Sequence, residues 1–183
     1  MPDERRICAR CHQTAVYDPA RAQELCGYAA RIVVDQLGLE LNVGVDFTLV
    51  DHKHLQRLAA ETPRDPDGDY DQSKIVGLFL HKGRKRMIYV LLGLPQTLLI
   101  QTVAHEWAHA WQAENCPLLR DPPVREGFAE WAAYKTLQTM GASDKMALME
   151  RQNGLYGQGL RRMLELEQRG GVSGVLAFCR KAE

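Results

Sequence analysis

Residues 102–111 read TVAHEWAHAW, with His105 and His109 four apart and Glu106 directly after the first histidine. The surroundings are helical in pattern. Pro95 opens a segment from about Gln96 to Glu114 in which Ile100, Val103, Ala104, Trp107, Ala108 and Trp111 are apolar, and Pro117 to Pro123 break it. Residues four apart share a helix face, so both imidazoles can reach one ion, while Glu106 lies about a third of a turn away. In a zinc hydrolase this spacing supplies two ligands and the base that deprotonates the attacking water. The alternative is a pair of helix histidines satisfied by other partners. With 6 His in 183 residues, the pattern His-Glu-x-x-His arises by chance on the order of 0.01 times per chain. Coincidence is therefore a poor account.

Zinc takes a third protein ligand and leaves a fourth position open. A second helical pattern, Val124 to Met140, ends at Gly141 and contains REGFAEW, where Glu126 and Glu130 are again four apart. One carboxylate can bind metal while the other accepts the free N–H of a ligand histidine and fixes its tautomer. Glu126 is the expected ligand and Glu130 its supporting partner. A solvated acidic face fits badly, because Phe128, Ala129, Trp131 and Ala132 surround the pair.

Outward from these helices, DPARAQELCGYAARIVVDQLGLEL has Asp18 as N-cap, Pro19 at the first helical position and apolar residues at helical spacing. VGVDFTLVD alternates and reads as a strand; HKHLQRLAAE makes a short helix. TPRDPDGDYDQS is rich in Pro, Gly and Asp and reads as a loop. KIVGLFLH and RMIYVLLG flank KGRK as a hairpin whose second strand is apolar on both faces. The C-terminal part reads as helices interrupted at Asn153-Gly154 and Gly170-Gly171. A sheet of about three strands followed by a helical half is an α+β arrangement. The expected organisation is a Cys-x-x-Cys segment over residues 1–18 and a metallopeptidase domain over 19–183.

Lys plus Arg and Asp plus Glu balance at 23 each, so no net field would steer the chain onto nucleic acid or an anionic membrane. The N-terminus has no apolar core of a signal peptide, and the longest apolar stretch, near MIYVLLGLP, is too short for a bilayer. The expectation is a cytoplasmic protein without nucleic-acid or membrane partners. Five cysteines, an odd number, suit reduced thiols or metal better than disulfides. CARCH matches the haem-attachment pattern, but covalent haem attachment typically needs export. Cys8 and Cys11 have the spacing of half a structural zinc site, for which His12 and Cys26 make no standard completion. Free thiols are the alternative. Cys116 and Cys179 read as structural.

AHEWAHAW together with EGF at Glu126 to Phe128 resembles the gluzincin metallopeptidases, and more closely the peptidase domain of the plant DA-one organ-size regulators. ICARCHQTAVYD is similar to the end of that family's LIM-type zinc module, DFTLVDHKHL to its first strand region, and YVLLGLP to the strand leading into the active-site helix. The likeness covers roughly residues 7–140. It implies His105, His109 and Glu126 as zinc ligands, Glu106 as the base, residues 1–18 as the vestige of a LIM module, and ubiquitin or ubiquitinated proteins as candidate partners. The chain departs from the family in lacking most of the LIM module and the upstream ubiquitin-interacting motifs. It also carries Glu130 where the plant proteins have glutamine.

Such sites add a donor for the developing oxyanion. Tyr134, two turns beyond Glu126, is a candidate, with a core aromatic as the alternative; Tyr156 and His81 are others. The function expected from all this is zinc-dependent endoproteolysis of protein or peptide substrates, with a second, structural zinc at Cys8 and Cys11. The strand Met87 to Leu92 is expected to pair with the substrate chain along its edge. Two alternatives stand beside it. A non-catalytic zinc-held interaction module would have no use for Glu106. A gluzincin aminopeptidase would carry acidic residues before the active-site helix to hold the substrate's amine, and RMIYVLLGLPQ has none.

Overall fold

The structure, a computed structural model, describes residues 7–61, 75–83 and 85–182. The loop expected over TPRDPDGDYDQS lies outside the described residues. A short helix α1 (Ala9–Gln13) is followed by α2 (Pro19–Leu37), β1 (Asp46–Val50) and α3 (His52–Glu61). The hairpin strands are β2 (Gly77–Lys82) and β3 (Lys85–Leu91). Four helices complete the chain: α4 (Gln96–Asn115), α5 (Pro122–Thr139), α6 (Ser143–Glu150) and α7 (Gly154–Lys181). The fold is α+β.

Local chemistry sets the boundaries. The Asp18 carboxylate accepts from the amides of Ala20 and Arg21 at the start of α2, Pro19 needs no partner there, and Gly38 leaves the helix at φ 67°. Within α7, Gly171 adopts φ 64° and ψ −170°, so the helix breaks at the Gly-Gly pair.

The three strands form one sheet in the order β1-β3-β2, with β1 parallel and β2 antiparallel to β3. Central placement explains why Ile88, Val90 and Leu91 of β3 are all buried. It also overturns the expectation that Met87 to Leu92 offers an edge to substrate. β3 is paired on both sides, leaving β1 and β2 as the edges among the described residues; the Phe47 carbonyl of β1 is already taken by the Gln23 amide, 2.8 Å away.

Helix α4 separates two cores. Leu99, Ile100 and Val103 pack with the sheet and α2, while Ala104, Ala108 and Trp111 pack with α5 and α7. Its start is held by the N-terminal segment: the Val16 amide donates to the Leu94 carbonyl (2.9 Å), Gly93 to Val16 (2.8 Å) and Gln96 to Thr14 (2.9 Å). Val16 is itself core, so the boundary expected between residues 18 and 19 does not coincide with a break in packing. Lower down, the Glu114 carboxylate accepts from the Arg86 guanidinium of β3 and from the amides of Asn42 and Val43, tying α4 to the sheet and to the α2–β1 connection. No described helix is long and apolar enough to cross a membrane.

Candidate metal centre

α4 and α5 lie against each other with their two four-residue pairs facing. The three donor atoms His105 Nε2, His109 Nε2 and Glu126 Oε2 converge: the nitrogens are 3.1 Å apart and each is 3.4 Å from the oxygen. A tetrahedral zinc with ligand bonds of ~2.05 Å requires its donors ~3.3 Å apart. The three observed separations bracket that value.

Each remaining ligand atom has its own partner. His109 Nδ1 lies 3.0 Å from Gln112 Oε1, and the Gln112 amide is oriented by donating to the Arg125 carbonyl at 3.0 Å. That assigns the proton of His109 to Nδ1 and leaves Nε2 with a lone pair. His105 Nδ1 lies 3.1 Å from Glu130 Oε1, assigning its proton likewise. Two lone pairs then face each other across 3.1 Å, an arrangement that needs a cation or an extra proton between them. Glu126 Oε1 is held by the Arg125 guanidinium (3.3 and 3.2 Å), whereas Glu126 Oε2 is buried without a hydrogen-bond partner. A buried acceptor left unmet costs about 1–3 kcal/mol, more when charged. A divalent ion at the convergence point would meet it, so the donor set fits zinc. Glu130 Oε2 is also buried and unpartnered, and nothing among the described residues meets it.

The electrostatics agree. Burial alone would lower the pKa of His105, but the carboxylates of Glu126 and Glu130, one at each ring nitrogen, outweigh it and hold the pKa well above the ordinary value. For Glu126, burial alone would raise the pKa, and the two imidazoles override it, holding the carboxylate far below its usual range. The pocket stabilises positive charge at the point where the donors meet.

Glu106 projects from the same helix but toward the sheet. Its Oε2 accepts from the Phe79 backbone amide of β2 at 2.8 Å, and the residue is 8% exposed. Tyr134 is placed otherwise than as an oxyanion donor: it is buried and its hydroxyl donates to the Glu150 carboxylate of α6. Burial, and then that carboxylate, push its pKa up to about 12. The aromatic beside the cluster is Tyr156 of α7, whose ring centre is 6.3 Å from that of His105. It gets there because α7 crosses α5 at a glycine pair, where a Cβ on Gly127 would lie 2.6 Å from Gly159 backbone. His81 Nε2 is within 2.9 Å of the Gly83 carbonyl at the exposed hairpin end.

Among the described residues, no further metal-type donor joins Cys8 and Cys11. Cys8 caps α1, its sulfur 3.4 Å from the Cys11 amide, and among the described residues His105, His109 and Glu126 are the one group of three metal-type donors found. Cys26 is buried in α2 with its thiol pushed up to about 12 by desolvation, while Cys116 and Cys179 are buried in the helical core. The sequence signal for Gln112 is only that it lies three residues past His109 on the same helix face.

No family model, curated protein or solved structure matches the chain.

Proposed function

We propose that the chain is a zinc-dependent endopeptidase of the gluzincin type that its motif resembles. The observation carrying this reading is the convergence of His105 Nε2, His109 Nε2 and the unpartnered Glu126 Oε2 at tetrahedral spacing, with Glu106 on the same helix. Zinc held there would polarise the scissile carbonyl and make a water acidic enough to attack near neutral pH.

The chain's own residues supply the rest. Glu106 takes the proton of the attacking water and returns it to the leaving amine. Glu130 and Gln112 hold the two imidazoles in the tautomer that binds metal. Tyr156, beside His105, is the donor proposed for the developing oxyanion in place of Tyr134. The substrate chain is proposed to lie along the outer edge of β2, the strand that passes over Glu106.

Endoproteolysis is separated from aminopeptidase action by two peptides with the same internal site, one with a free N-terminus and one acetylated. The expected result is comparable internal cleavage of both. Release of single residues from the free peptide alone would show an aminopeptidase instead.

A further inference from the structure

The outer edge of β2 meets the base directly. The Leu91 amide donates to the Val76 carbonyl, and the register pairs Gly77 with Val90, Leu78 with Tyr89 and Phe79 with Ile88. Hydrogen-bonded pairs alternate along an antiparallel ladder, so Leu78 bonds to β3 and the backbone groups of Gly77 and Phe79 point outward. An outward N–H would ordinarily face solvent or an incoming strand. That of Phe79 instead ends 2.8 Å from Glu106 Oε2.

The approach is built into the sequence. A Cβ on Gly77 would lie 2.3 Å from Thr102 Cγ2 and 3.0 Å from Glu106 Oε1, so only glycine lets β2 run this close to α4. Thr102 is braced in turn by its hydroxyl, which donates to the Leu98 carbonyl at 2.8 Å. The Glu106 carboxylate is thus set between a backbone donor and a wall.

We infer that the Phe79 main-chain N–H is the positioning group for Glu106. By holding Oε2 it fixes the rotation of the carboxylate that is to take the water's proton. This rests on the peptidase reading for the role of Glu106, but the contact itself does not. The Phe79 amide is then committed to the enzyme's own base, and a substrate strand on β2 draws its main-chain bonds from the outward groups on either side.

Two measurements test this. Phe79→Pro removes the N–H at a position that does not bond to β3, where an edge strand tolerates proline. Misplacement of a catalytic group costs up to ~100-fold, so kcat should fall ~10- to ~100-fold with KM within ~2-fold. Phe79→Ala, which removes the ring and keeps the N–H, should retain at least ~10-fold more kcat than the proline variant. In a Glu106→Gln background the proline should cost no more than ~2-fold, since groups acting as one unit are not additive. A raised KM with kcat retained would mean that the N–H serves the substrate, and would overturn the inference. The second measurement needs no turnover: amide hydrogen exchange at Phe79 should be slow in the wild type and at least ~10-fold faster in Glu106→Ala. Equal rates in the two would overturn the contact. Absence of any wild-type peptidase activity would instead sink the peptidase reading, with the exchange rates still deciding whether Phe79 holds Glu106.

Discussion

Two stretches of this chain carry the spacing of a metal motif, and they end up in opposite surroundings. His105 and His109 on α4 meet a carboxylate from a second helix. Every nitrogen not aimed at the convergence point has its own partner, and one buried oxygen is left open toward it. Cys8, exposed, caps the five-residue helix that carries Cys11, with nothing delivered from elsewhere among the described residues. Spacing on one element provides half a site. The other half comes from a second element, brought into register by packing that the motif does not encode.

The largest effect is expected at the ligands. Glu126→Ala should abolish stoichiometric zinc binding, since it removes a direct donor from a buried cluster. Glu130→Ala and Gln112→Ala each free one imidazole and should weaken zinc by the ~10- to ~100-fold usual for such supporting partners. Titration against a competing chelator ranks the three. If Glu130→Ala proved worse than Glu126→Ala, the two carboxylates would have to exchange roles.

A smaller effect follows from pH. In the metal-free protein the pKa of His105 is raised, so its protonation stabilises the apo fold fully below the unfolded value of ~6.5, and that stability is lost as pH rises through the folded pKa. Zinc needs the neutral ring, so metal uptake releases this proton and affinity grows with pH. The gap in Tm between zinc-loaded and chelator-treated protein should therefore widen from pH 6 to pH 8. A gap that narrowed would show that His105 is not the titrating ligand.

The smallest expected change is at the other motif. Cys8→Ser/Cys11→Ser should leave zinc content and Tm as they are, because Cys8 caps the short exposed helix that carries Cys11 and the two reach no third donor among the described residues. Loss of one equivalent of metal with a drop in Tm would restore the structural-zinc expectation for this segment.

Much of the fold was legible because its signals are local. Asp18-Pro19 and the Gly170-Gly171 break are written in single residues. What escaped is non-local. The sequence shows Met87 to Leu92 as a strand beside α4, but not that β1 would pair in parallel on one side and β2 on the other, which leaves β1 and β2 as the outer strands among the described residues. Tyr134 shares a helix with Glu126, yet Glu150 claims its hydroxyl from α6. Tyr156 reaches His105 only because Gly127 and Gly159 let two helices touch, a contact between residues 32 positions apart. Gln112 gains its part from the Arg125 carbonyl on the next helix.

One zinc bound by His105, His109 and Glu126 and used by Glu106 is the central proposal. Its most direct test is metal content and peptide turnover measured side by side on the wild type and Glu106→Gln. One zinc per chain in both, with turnover lowered ~100- to ~10,000-fold in the variant, is the predicted result. A wild type that retains no zinc, or a variant that loses its zinc along with its activity, would contradict it.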